Sequence, residues 1–201
     1  MKLLKMLEKI LPLLFWSLLI FAFDTPNFAC LTIIAALIHE LGHMIFGATR
    51  GVIRLLPSPH ATGFRITPGK TVSYKDEIIL LLGGPVLNFL FFFLAIFILK
   101  FTKNSYFFDF AFFNLITALS NLLPIKGYDG YRIIENLILL RTLDSSSALS
   151  LLSHFSFLFT ASLMFISLYL LLKLGEGYWI FVLFFTSVAL DIKKVSERGT
   201  F

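Results

Sequence analysis

Long apolar runs separated by short polar segments dominate the chain. A helix that crosses a membrane needs about 20 mainly apolar residues, and such stretches fall at 8–23, 28–49, 78–99, 106–125, 148–172 and 176–191. The first and last stretches are short or have polar ends, while Pro, Gly and Ser residues mark the edges of several others. The pattern predicts an all-α polytopic membrane protein with about six transmembrane helices, three of which form a core.

The segment 50–77 departs from the helical pattern. It is rich in Gly, Pro and β-branched residues, and it contains one possible short strand at 63–67. Turn-forming residues around a short β-prone run are typical of a hairpin. We therefore expect a short β-hairpin-like or re-entrant loop here.

Composition supports the membrane interpretation. Hydrophobic residues make up 58% of the 201 positions and charged residues only 14%, whereas about a quarter of a soluble protein is charged. A net charge of +5 could indicate nucleic acid, but the basic residues lie between apolar runs rather than in one patch. We therefore expect the lipid bilayer as a partner and no nucleic acid.

The connections are too short to hold a soluble domain. The chain is thus predicted to form one membrane-embedded domain, 1–201, with a core at 28–135 and accessory helices at 1–23, 148–172 and 176–191.

The basic residues also predict an orientation. Fourteen Lys and Arg residues lie at the two termini and in the connections 50–77 and 126–147, against three on the other side. By the positive-inside rule, both termini are cytoplasmic, and six helices satisfy that parity. We expect a bacterial cytoplasmic membrane.

A charged cluster interrupts the second apolar stretch. His39 and His43 are four residues apart, so a helix places both on one face, where their ring nitrogens can bind one metal ion. Glu40 lies on a neighbouring part of the surface and suits a general base that takes a proton from water. Ionisable groups at membrane depth are costly and are therefore functional candidates. The alternative is a chance motif whose polar groups bond to neighbouring helices.

Zinc suits this set of ligands and catalyses hydrolysis without redox chemistry. It needs a third protein ligand, and Asp129 is the preferred candidate because Pro124 and Gly127 allow the chain to turn back after the fourth stretch. Asp109 lies near the opposite face, and Glu135 is a weaker candidate. A solvated turn aspartate is the alternative role for Asp129.

Three motifs resemble those of the site-2 protease family of intramembrane zinc metalloproteases. His39, Glu40 and His43 match its H-E-x-x-H motif. Asn121, Pro124, Asp129 and Gly130 match N-x-x-P-x-x-x-x-D-G, and residues 84–88 match G-P-x-x-N. The six stretches and the missing soluble domain are most similar to the compact sporulation-factor-processing branch.

The resemblance implies one Zn²⁺ per chain, bound by His39, His43 and Asp129, with Glu40 activating water. It implies an endopeptidase that cleaves a membrane protein or membrane-tethered peptide within or next to its membrane segment, as in regulated intramembrane proteolysis. Asn88 and Asn121 would be polar core residues near the site that bind the substrate backbone or bond between helices. The 50–77 loop would offer a strand edge to an unwound substrate.

Two other classes of protein remain open. A gluzincin-type membrane protease takes its third ligand from a downstream glutamate, but the E-x-x-x-D pattern does not follow the second stretch. A protease-like binder without activity, or a small transporter, would need none of the catalytic groups. The intact set of His39, Glu40, His43 and Asp129 favours the enzyme.

The predicted orientation can be checked by thiol labelling at cysteines engineered into 50–77. We expect labelling only after the membrane is opened, because this segment is predicted to be cytoplasmic. Labelling from outside intact cells would overturn the orientation.

Overall fold

A computed structural model of the chain describes residues 26–51, 55–60, 63–68, 72–141, 145–174 and 188. The predicted helix at 8–23 lies outside these residues, as does all of 176–191 except residue 188. The described elements, in chain order, are α1 (Pro26–Thr49), β1 (Leu55–His60), β2 (Gly63–Pro68), α2 (Tyr74–Thr102), α3 (Ser105–Asn121), α4 (Asp129–Arg141) and α5 (Ser146–Leu174).

Within the described residues, three helices are long and apolar enough to cross a membrane. They span Cys30–Thr49, Tyr74–Thr102 and Ser146–Lys173, which coincide with three of the predicted stretches. The chain is therefore an integral membrane protein built on helices, as predicted. The predicted stretch 106–125 corresponds to α3, which has only 17 residues. The total of six transmembrane helices stays a prediction.

The chain divides into two compact units, one ending at Leu123 and the other starting at Pro124. In the first unit, α1, α2 and α3 contact one another. They form the three-helix layer in which the predicted histidines lie. Whether the two units make one domain, as the sequence predicts, stays a prediction.

Glycines bring α1 and α2 into backbone contact. A Cβ atom at Gly42 of α1 would overlap the carbonyl oxygen of Gly83 of α2, and a Cβ atom at Gly83 would overlap the carbonyl oxygen of Gly42. Small residues allow this spacing in membrane helices, where association depends on close packing rather than on hydrophobic burial. The axes of α1 and α2 thus approach most closely one residue before His43.

A tight turn joins α2 to α3. Lys103 adopts a left-handed conformation with φ of 53° and donates its backbone N–H to the Leu99 carbonyl. The Asn104 side chain then accepts the Tyr106 N–H at 3.1 Å and caps α3. Because only two residues separate these helices, α3 runs back along α2.

The segment between α1 and α2 holds the two-stranded antiparallel sheet. Its register pairs Leu55 with Pro68 and His60 with Gly63. Strand β2 contacts α1. Where the segment joins the two helices, the guanidinium of Arg50, just after α1, lies 3.7 Å from the carboxylate of Asp76 in the first turn of α2.

In the second unit, a turn precedes α4. The Tyr128 N–H donates to the Ile125 carbonyl at 3.0 Å, and Gly127 has a φ of 103°, a conformation that favours glycine. The Lys126 N–H donates to Ser156 Oγ of α5 at 2.8 Å. The tight bend predicted at Gly127 is therefore confirmed.

Candidate metal centre

Helix α1 places His39 and His43 one turn apart on its buried face. Both residues are 5% exposed. Their Nε2 atoms lie 3.0 Å apart, and the two rings are perpendicular, with centroids 4.6 Å apart. The sequence spacing therefore produces the predicted convergence of ring nitrogens.

The other nitrogen of each ring is held by α2. His39 Nδ1 lies 2.8 Å from Asn88 Oδ1, and His43 Nδ1 lies 2.9 Å from the carbonyl oxygen of Leu80. A carbonyl oxygen can only accept a hydrogen bond, so His43 Nδ1 must be the donor. Its neutral ring then carries a lone pair on Nε2.

The same conclusion holds for His39 because the Asn88 amide has one possible orientation. Asn88 Nδ2 donates to the Ala35 carbonyl at 3.0 Å and to Asn114 Oδ1 at 2.9 Å. Rotating the amide by 180° would point Oδ1 at these two acceptors, so the observed orientation is fixed. His39 Nδ1 is therefore the donor to Asn88 Oδ1.

Two Nε2 lone pairs thus face each other in a buried space. Two lone pairs at this distance repel each other unless a proton or a metal ion lies between them. Two imidazole nitrogens on one tetrahedral zinc ion, with Zn–N bonds of about 2.0–2.1 Å, are separated by about 3.3 Å. The observed separation of 3.0 Å is close to that value, so the donor set and its spacing fit zinc.

Gly84 provides the room for the two rings. A Cβ atom at this position would lie 2.6 Å from His39 Cε1 and 2.7 Å from His43 Cε1. Pro85 follows directly inside α2 and lacks the N–H that would continue the helical ladder. At Gly84 the backbone of α2 therefore meets the two histidine rings directly.

Glu40 follows His39 on α1 and is half-buried. Its Oε2 atom is buried. A carboxylate one residue from a metal-binding histidine is near the metal without sharing its face of the helix. The general-base role of Glu40 stays a prediction.

Asp129, the predicted third ligand, lies in the second unit. It is half-buried and is the first residue of α4, where a negative charge is favourable at the positive end of the helix dipole. Burial raises the pKa of the neighbouring Tyr128 above its ordinary value, so this phenol stays neutral at physiological pH. The ligand role of Asp129 stays a prediction.

The two asparagines predicted near the site differ in their bonding. Asn88 is fully buried and bonds between helices, which is the alternative role named from the sequence. Asn121 is half-buried and donates Nδ2 to the Thr117 carbonyl of its own helix at 2.9 Å. Contact of either residue with substrate stays a prediction.

Two partners of the histidines, one direct and one through Asn88, are not among the residues predicted from the sequence. The Leu80 carbonyl cannot be predicted as a partner from the sequence, because every residue has a backbone carbonyl group. Asn114 was detectable in principle, since an amide in a Phe-rich membrane helix is costly unless it is bonded. It is 0% exposed.

The fold is similar to a solved structure, "Site-2 Protease from Methanocaldococcus jannaschii". The match has a TM-score of 0.62 and 17% sequence identity, and it covers 92% of this chain and 86% of that one. No protein-family model matches the chain, and no curated protein matches it. The resemblance stated from the sequence motifs is therefore confirmed at the level of the fold.

A Gly84→Ala substitution tests the space between the helices. The added methyl group would displace the His39 and His43 rings, so we expect zinc affinity to fall at least tenfold. Chelator competition on detergent-purified protein measures this. The control is Val86→Ala on the exposed face of the same helix, which should leave the affinity unchanged. Equal affinity in Gly84→Ala and the wild type would show that Gly84 does not shape the site.

Proposed function

We propose, from the fold shared with a site-2 protease, that this chain is an intramembrane zinc endopeptidase. It hydrolyses a peptide bond within or next to the membrane segment of a membrane protein or membrane-tethered peptide, as in regulated intramembrane proteolysis. It resides in the bacterial cytoplasmic membrane with both termini in the cytoplasm. The asymmetry of Lys and Arg residues supports this orientation.

The observation that carries the proposal is the pair of facing histidine nitrogens. Their Nε2 atoms lie 3.0 Å apart, and both Nδ1 atoms donate to acceptors on α2. In a neutral histidine one ring nitrogen donates and the other accepts, and here the two Nε2 acceptors point at each other. Two rings that both direct lone pairs to one buried point support the proposal of a cation site.

His39, His43 and Asp129 would hold one Zn²⁺ per chain and leave a fourth position open. The third ligand is supported by the match to the N-x-x-P-x-x-x-x-D-G motif and by the Gly127 bend that precedes Asp129. When bound, zinc lowers the pKa of water and polarises the scissile carbonyl. The remaining steps are performed by the protein.

Glu40 is the general base in this proposal. Its carboxylate takes a proton from the attacking water as the oxygen forms a bond to the scissile carbonyl carbon. The same proton is then transferred to the departing amine nitrogen as the C–N bond breaks, so one carboxylate serves both steps.

The substrate must be extended before water can reach its peptide bond, and the two-stranded sheet can accept an extended segment as a third strand. Pairs in an antiparallel sheet alternate between hydrogen-bonded and non-hydrogen-bonded pairs. The register puts Pro57, Pro59 and Pro68 in pairs of the same class. These must be the non-hydrogen-bonded pairs, because proline has no N–H to donate.

This pattern distinguishes the two edges of the sheet. Residues 55, 57 and 59 of β1 direct their backbone groups outwards, but two of them are prolines, so this edge is a poor template for another strand. On β2 the corresponding positions include Phe64 and Ile66, which keep their N–H groups. In addition, β2 contacts α1, the helix that carries His39 and His43. We therefore propose β2 as the edge that binds substrate.

Metal content and activity together test the catalytic assignment. Glu40→Gln should retain one zinc per chain but lose cleavage, because the amide cannot accept the proton. Asp129→Ala should lower zinc affinity as well as activity. Zinc is measured in gently extracted protein, and cleavage is measured on a substrate trapped by the Glu40→Gln protein. Absence of zinc from the wild type would reject the catalytic proposal, and cleavage by Glu40→Gln would remove Glu40 from the mechanism.

Ile66→Pro tests the edge that binds substrate. The N–H that it removes points away from β1, so the hairpin remains while one bond to the substrate is lost. A backbone hydrogen bond contributes about 0.5–1.5 kcal/mol, so kcat/KM should fall up to about tenfold at unchanged zinc content. Leu55→Pro is the matched control, since it removes an outward N–H from β1. If Leu55→Pro lowers kcat/KM and Ile66→Pro does not, the assignment of edges is wrong.

A further inference from the structure

Asn114 links α3 to the histidines through Asn88. It is 0% exposed, as is Asn88. Asn114 Oδ1 accepts from Asn88 Nδ2 at 2.9 Å, and Asn114 Nδ2 donates to the Phe110 carbonyl of its own helix at 2.9 Å. The donation to Phe110 fixes which atom of the Asn114 amide faces Asn88. Donation therefore runs in one direction, from His39 on α1 to Asn88 on α2 and then to Asn114 on α3.

Both hydrogens on Asn88 Nδ2 are used. One goes to the Ala35 carbonyl and the other to Asn114 Oδ1. Together they hold Asn88 Oδ1 towards His39 Nδ1. Without the acceptor on α3, one buried N–H loses its partner and only the Ala35 carbonyl still opposes rotation of the amide. The rotated form, which presents Nδ2 to His39, then becomes more populated. His39 Nδ1 would then become the acceptor, and the proton would move to Nε2.

A histidine protonated on Nε2 cannot bind the metal through that atom. We propose that Asn114 is a positioning residue for the zinc site, which keeps the His39 lone pair on Nε2 by fixing the Asn88 amide. This inference rests on the proposed function, because it concerns affinity for zinc. It assigns a role in the site to a residue of α3 that is linked to His39 through Asn88.

A pair of substitutions separates this role from simple packing. Asn114→Leu has a similar size but lacks the acceptor, and we expect zinc affinity to fall about tenfold, the lower end of the effect of removing a partner of a metal ligand. Asn114→Asp has the same shape as asparagine, and burial keeps its carboxyl group neutral. Its carbonyl oxygen accepts from Asn88, and its hydroxyl donates to Phe110. It should restore wild-type affinity.

Zinc affinity is measured by chelator competition on the full-length protein in detergent. A control on the same helix is Ser120→Ala, because Ser120 Oγ donates to the Thr117 carbonyl within α3. Its affinity should equal that of the wild type. The second readout is the ¹⁵N spectrum of histidine in zinc-free protein. We expect a His39 signal for protonated Nδ1 in the wild type and in Asn114→Asp, and a shift towards protonated Nε2 in Asn114→Leu.

The outcomes distinguish the two proposals. Zinc affinity of Asn114→Leu equal to that of a zinc-binding wild type would overturn the role of Asn114 and leave the proposed function standing. A wild type that binds no zinc would reject the proposed function, and the role of Asn114 with it. Loss of thermal stability in Asn114→Leu without loss of zinc affinity or a change in the His39 spectrum would assign Asn114 to packing alone.

Discussion

The close approach of α1 and α2 at Gly42 and Gly83 is the constraint on which the site depends. Side chains here would separate the helices, and the short hydrogen bonds from both histidines to α2 would be lost. The contact is made by backbone atoms, so it leaves little freedom for the helices to slide. The histidines are therefore held in place by the packing of α1 on α2 and by their hydrogen bonds to α2.

The buried polar side chains of this three-helix layer depend on one another for hydrogen-bond partners. An unbonded amide or imidazole in hydrocarbon costs several kcal/mol, yet Asn88 and Asn114 are fully buried among apolar residues. Each one satisfies its neighbour, so the network is stable only when complete. Such a network gives the three helices one arrangement, whereas apolar contacts alone would permit several.

Hydropathy was enough to locate α1, α2 and α5, because a long apolar run in a membrane protein has few alternatives to a helix. The spacing of His39 and His43 likewise determined their common face. Other features depended on neighbours in space. The partner of His43 is a backbone carbonyl, and Asn114 gains its role only from the packing of α3 on α2. The length of α3 was also overestimated, since the apolar sequence continues to Ile125 while the helix ends at Asn121.

The short length of α3 has a consequence for solvent. Contacts between Asn88 and Asn114 and between Phe91 and Phe110 show how α3 runs along α2. If α3 continues along α2 at the same pitch, its last residue lies level with Leu80, whose carbonyl oxygen accepts a hydrogen bond from His43. Beyond this level α2 continues for about 10 Å without α3 beside it. Among the described helices of the first unit, this part of α2 is therefore left for something other than α3 to cover, and a hydrolase inside a membrane needs access for water at such a depth.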